Sequence, residues 1–135
     1  MDRQRQIDWL LRFAVAGAFI GHGAYGAILH KDAWFGYFAV LGISSHTVLA
    51  VDLFTIIGAA EIAMGILALA FPAPAALIFL AIWKISSELL RPAAGEPFWE
   101  FIERASNMAA PLALLYLRWP TSLWRWFTAP PPRRG

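Results

Sequence analysis

The chain contains no cysteine, which excludes a disulfide scaffold, a thiolate metal site and thiol redox chemistry. Charge is also scarce. Asp, Glu, Lys and Arg make up 15% of the 135 residues, where an ordinary soluble domain carries about 25%. The formal net charge is only +2, so nothing points to nucleic acid as a partner. The common catalytic patterns are missing: there is no Gly-x-Gly-x-x-Gly, P-loop, Gly-x-Ser-x-Gly or His-Glu-x-x-His. The histidines, His22, His30 and His46, show neither His-x-x-x-His nor Glu-x-x-His spacing, so no metal site is expected. What is plentiful is apolar, at 59% of residues. So few charges cannot coat a soluble sphere of this size, and the expectation is an integral membrane protein with the lipid bilayer as its main partner.

Long uncharged stretches set the expected spans, because a helix needs about 20 apolar residues to cross the hydrocarbon layer. Four are expected, over about 9–30, 47–71, 75–91 and 101–119 or longer. Ser44 or Ser45 would cap the second. Phe71-Pro-Ala-Pro breaks the chain before the third, since proline suits a loop or a first helical turn. Between the first two spans, Ala33 to Leu41 is too short to cross and carries Trp34, Phe35, Tyr37 and Phe38, which places it at the membrane–water boundary. The expected fold is all-α: an integral membrane four-helix bundle with a short interfacial aromatic segment between helices 1 and 2. It forms one domain over 1–128, followed by a Pro-rich disordered tail over 129–135. The apolar run of helix 1 continues well past Ala14-Val15-Ala16, which favours a retained helix over a cleaved signal peptide.

Four spans place Arg3, Arg5, Arg118, Arg125, Arg133 and Arg134 on one side. Lys31 and Arg91 lie on the other, with Arg104 close to its boundary. The positive-inside rule then makes both termini cytoplasmic. Trp9, Trp119, Trp124 and Trp126 would form the inner aromatic belt, and Trp34 and Trp99 the outer one.

Ionisable groups inside spans are costly and are functional candidates by default. With this topology His22, Glu61, Lys84, Glu88, Arg104 and Asn107 all fall in the outer half or the middle of the membrane, and the inner half has almost none. Glu61 shares a stripe with Gly58 and Gly65, small residues that mark close helix approach, so it faces the bundle. Lys84 and Glu88 share a face four residues apart, and Arg104 and Asn107 share one three apart. Asp52 is nine residues from Glu61, about 180° around the helix, and is the weaker candidate. Glu61 and Lys84 form the expected mid-depth pair, either functional or a structural lock on helix register. Pro111 frees the Asn107 carbonyl toward the same region. Asp8 and Arg12 read as a surface pair, Gly17-x-x-x-Gly21 as helix packing, and His30 and His46 as solvated boundary groups.

Leu11-Arg12-Phe13 followed by Phe19-Ile20-Gly21-His22-Gly23 resembles the Arg…His-Gly signature that opens DoxX-like membrane proteins. Ile57-Gly58-Ala59-Ala60-Glu61 and Gly65-Ile66-Leu67, with the proline-containing turn after them, agree with that pattern. The likeness covers roughly the first 75 residues, and the stretch from Glu100 to Leu114 departs from the commonest family pattern. The resemblance implies a small protein of the bacterial inner (cytoplasmic) membrane. Founding members of that family are subunits linked to thiosulfate oxidation with a quinone acceptor, and some relatives are membrane assembly factors. It carries over His22 and Glu61, but neither Arg104 and Asn107 nor a substrate.

The expected function is an outer-half polar pocket that binds a small lipophilic or redox molecule, quinone first, in an accessory subunit of a quinone-linked oxidoreductase. His22 would hydrogen-bond a quinone oxygen, Glu61 and Lys84 would relay protons, and Arg104 and Asn107 would close the pocket from above. No covalently bound cofactor is expected, so electrons would come from a partner protein. The rivals are a non-enzymatic assembly factor or structural accessory protein, and a proton-coupled solute pathway. The apolar inner half and the four helices disfavour the last unless the protein forms a homo-oligomer.

Overall fold

A computed structural model describes residues 2–43 and 48–132. The described residues are all-helical: α1 (Arg3–Ala27), α2 (Ala33–Val40), α3 (Val48–Ala70), α4 (Pro74–Ala93), α5 (Phe98–Ile102) and α6 (Ala105–Leu117), with a final 3-10 turn at Leu123–Trp126. Local chemistry explains several boundaries. Asp2 caps α1 by accepting the Arg5 backbone N–H at 2.8 Å, so this helix starts six residues before the expected span. Pro74 opens α4 where its missing N–H costs nothing, after the expected Phe71-Pro-Ala-Pro break. The expected Ser44 or Ser45 cap, His46, Thr47, Arg133 and Arg134 lie outside the described residues.

Packing follows from small residues. The buried positions of α3 are Ala50, Phe54, Gly58, Glu61, Gly65 and Ala68, a single stripe at helical spacing. Gly58 of that stripe meets Gly23 of α1 so closely that a Cβ on either would collide with the backbone carbonyl of the other. Gly65 similarly abuts Ala16 and Ile20. These pairings run in opposite directions along the two helices, so α1 and α3 are antiparallel. α6 packs against both α1 and α4, while α3 and α4 barely touch. Val15, Phe19, Ala68, Leu77, Leu80, Leu114 and Leu115 fill the middle of the bundle as one apolar layer.

Three expectations need correction. First, the aromatic segment turns inward. Trp34, Tyr37 and Phe38 of α2 are buried and pack around Phe54, with the Phe38 and Trp34 rings 4.9 and 5.6 Å from it. Gly26 has no side chain in the place that the Trp34 ring occupies. α2 thus bridges the gap between α3 and α4; of the tryptophans expected in the two belts Trp34 is buried, while Trp9, Trp99, Trp119 and Trp124 are exposed. Second, the fourth span is broken at Glu103 and Arg104 into α5 and α6. The Arg104 guanidinium bonds the Glu100 carbonyl and carboxylate, satisfying backbone that a continuous helix would have used. The 13 residues of α6 rise about 20 Å, short of a hydrocarbon layer of about 30 Å. Third, the chain over 129–132 is held down: Pro130 is buried and its carbonyl accepts a hydrogen bond from Arg118. Among the described residues one helix, α3, is long and apolar enough to cross a membrane.

Candidate functional site

His22 and Glu61 are brought together by the Gly23–Gly58 contact, which lies beside His22 and one turn from Glu61. His22 Nδ1 lies 2.6 Å from Glu61 Oε2. The other carboxylate oxygen accepts the indole N–H of Trp83 at 2.7 Å. Trp83 can only donate, so Oε1 is an acceptor, and an ionised Glu61 also takes Nδ1–H from His22. That leaves the imidazole Nε2 for other partners. Glu61 is fully buried, as the Gly58–Glu61–Gly65 stripe requires, and Asp52 on the opposite face is exposed.

Beside this group, in the gap between α3 and α4, is a cavity of about 270 Å³. Its walls are mostly apolar and aromatic: Trp34, Tyr37 and Phe38 from α2, Ile57 from α3, and Trp83 and Leu90 from α4. His22, Glu61, Ser86 and Ser87 are the polar exceptions. The Trp34 ring stacks obliquely on the imidazole with centroids 5.1 Å apart. A pocket of this kind, apolar with a few convergent polar groups, is the usual form of a small-molecule site.

The other sequence candidates are placed differently. Lys84 sits behind Glu61 and does not line the cavity; its Nζ is 3.8 Å from Glu61 Oε1, fully buried, and without a hydrogen-bond partner among the described residues. It rests over the Phe19 ring at 4.9 Å, a cation–π contact that partly offsets its desolvation. Glu88 belongs to a second network nearer the α2 end of the bundle. There Arg91 Nε donates to Glu88 at 2.7 Å, and Arg91 Nη1 donates to both the Tyr37 hydroxyl at 2.8 Å and Glu96 at 3.0 Å. Tyr37 donates to Glu96 at 2.5 Å. Arg104 approaches Glu88 only to 3.8 Å and pairs with Glu100 and Glu103. Among the described residues no side-chain bond ties the half-buried Asn107 to either network, so α2, and not Arg104 with Asn107, closes the cavity. His30 is half-buried, its Nε2 3.0 Å from Thr55 Oγ1.

Burial, with the bond to Glu96, raises the Tyr37 phenol above its ordinary value. Burial pushes Glu96 upward, but the bonds from Tyr37 and Arg91 outweigh it and hold the carboxyl below its ordinary value. Residues missed as candidates are Trp34, Tyr37, Trp83, Arg91 and Glu96. Trp83 carried a signal, since an indole N–H beside mid-helix Lys84 needs an acceptor. Among the described residues no three His, Asp or Glu side chains converge as a metal site.

The chain matches no protein-family model, no curated protein and no solved structure.

Proposed function

We propose that this chain is a DoxX-like, multi-pass protein of the bacterial inner membrane whose cavity holds the head of a flat lipophilic molecule, a quinone being the first candidate. The observation that carries the reading is the His22–Glu61–Trp83 hydrogen-bonded group in the wall of an aromatic cavity. Glu61 fixes Nδ1, so Nε2 is the nitrogen offered to the ligand. A neutral imidazole accepts the hydroxyl of a quinol there, and a protonated one donates to the carbonyl of a quinone, with Glu61 balancing its charge. Electrons come from a partner protein, in the role of an accessory subunit.

The membrane reading is supported by an inverted surface. On α4 the buried set includes Lys84, Glu88 and Arg91, while Phe79, Ile82, Ile85 and Leu89 face outward. α1 likewise exposes Leu10, Phe13 and Tyr25. An apolar exterior over a charged interior suits lipid and not water. The arginine bias of the termini supports a cytoplasmic location for both.

The test is thermal stability of the detergent-purified protein with ubiquinone and menaquinone analogues, in wild type and His22→Ala. A ligand at 100 times its dissociation constant adds about 2.7 kcal/mol if it binds only the folded state. Stabilisation that disappears in His22→Ala is the expected result. No stabilisation of wild type, with a lower melting point for the variant, would favour the second reading: an assembly factor in which the Glu61–Lys84 pair, 3.8 Å apart and fully buried, only locks helix register.

A further inference from the structure

The end of the bundle opposite the aromatic cavity holds a second cavity of about 360 Å³, built where the start of α1, the end of α6 and the chain over 129–132 meet. Its cations are Arg5, Arg12 and Arg118, its anions Asp2 and Asp8, so the wall carries one positive charge in excess. The anions are already engaged. Asp8 accepts Arg118 Nε at 2.5 Å and Arg118 Nη2 at 2.7 Å, and its Oδ2 lies 2.9 Å from Arg12 Nε. Asp2 caps α1 through the Arg5 backbone N–H. Arg118 is completed by the Pro130 carbonyl and Arg12 Nη1 by the Leu69 carbonyl.

The cations are less fully engaged. The side chains of Arg12 and Arg118 are only 13% and 2% exposed, so one carboxylate faces two largely buried guanidinium groups. Arg12 Nε is buried and not aligned for a hydrogen bond to Asp8 or to any other described residue. Among the described residues the Arg5 guanidinium has no hydrogen bond or ion pair. A buried cluster with uncompensated positive charge is stabilised by a counter-anion with oxygens to spare.

We propose that this cavity binds a phosphate group, with Arg5 and Arg12 as its donors and the Asp8–Arg118 pair as the fixed back wall that orients Arg12. The neighbouring Trp9, whose ring lies 4.6 Å from the Arg12 guanidinium carbon, holds that side chain from the other side. Two sources carry this chemistry: the phosphodiester of an anionic phospholipid, which collects at basic pockets on the cytoplasmic face of membrane helices, and a free phosphate.

The experiment is thermal stability of the full chain in an uncharged detergent, titrated separately with phosphatidylglycerol, phosphatidylcholine and inorganic phosphate. Arg5→Gln and Arg12→Gln are compared with wild type. Stabilisation by phosphatidylglycerol exceeding that by phosphatidylcholine, weakened about fivefold in apparent affinity by Arg5→Gln, is the expected result and assigns the lipid source. Stabilisation by inorganic phosphate with the same Arg5 dependence also supports the site and assigns the free anion. Arg5 is exposed and holds up nothing else, so its variant stays readable even if Arg12→Gln unfolds the bundle. No preference for phosphatidylglycerol and no effect of phosphate, or anion binding unchanged in Arg5→Gln, overturns the proposal.

Discussion

Replacing Asp8 by alanine separates two descriptions of the same residue. As a helix-surface partner of Arg12 at i,i+4, Asp8 would contribute about 0.3–0.5 kcal/mol. In the structure its side chain is 2% exposed and receives two hydrogen bonds from Arg118, whose side chain is equally buried. Removing the carboxylate leaves Arg118 with the Pro130 carbonyl and Arg12 with the Leu69 carbonyl, two cations without a counter-charge. Breaking a buried pair in this way costs about 3–5 kcal/mol, a large part of a typical domain stability of about 5–15 kcal/mol. The assay is unfolding in mixed micelles, titrated with a denaturing detergent and followed by helical circular dichroism. Asp8→Ala should lose roughly 3 kcal/mol or more, and Asp8→Leu combined with Arg12→Met and Arg118→Met should recover most of it, because an apolar triad leaves no charge stranded. A loss below about 1 kcal/mol, or a triple variant no better than Asp8→Ala, would refute the burial argument.

Two further outcomes follow from the packing and the α2-end network. Gly58→Ala places a methyl against the Ala27 amide and the Gly23 carbonyl, neither of which can move alone, and should cost about 1–3 kcal/mol, whereas Gly17→Ala meets open space in the interior of α1 and should be neutral or stabilising by up to about 1 kcal/mol in the same titration. For pH, Glu96 is held below its ordinary value, so its stabilisation is present above the normal carboxylate range and is lost as pH falls through the lowered value. Tyr37 is held above its ordinary value, so its stabilisation is complete below about pH 10 and is lost as pH rises further. Melting temperature against pH should therefore fall at both limbs, and Tyr37→Phe should flatten the alkaline limb; an unchanged alkaline limb would refute that assignment.

The legible parts of the fold were those that depend on spacing along one helix. The Gly58–Glu61–Gly65 stripe pointed inward because three- and four-residue steps share a face, and Asp52 pointed outward for the same reason. The proline break before Pro74 was legible because proline constrains its own backbone. What depended on partners distant in sequence was not. Asp8 is joined to Arg118, 110 residues away, and no local pattern distinguishes that buried carboxylate from a solvated one. Trp34 and its neighbours carry the composition of an interfacial belt, and only the space left at Gly26 turns them inward. At the site, His22 and Glu61 stood out as ionisable groups in apolar runs, whereas Trp83 and Tyr37 did not, because aromatic residues are ordinary there.

The polar groups also divide along the bundle in a way that bears on transport. One end holds Asp8, Arg12 and Arg118; the other holds His22, Glu61 and Lys84, continuing to Glu88, Arg91 and Glu96. Between them lies the layer of Val15, Phe19, Ala68, Leu77, Leu80, Leu114 and Leu115. Along α1 the separation from Arg12 to His22 is about 15 Å at 1.5 Å per residue. A proton or solute route through one chain needs polar groups within hydrogen-bond reach at each step, and among the described residues the side chains of this layer are all apolar. An apolar layer therefore separates the two clusters, and the proposed binding role, unlike a pathway through the monomer, needs no polar link between them.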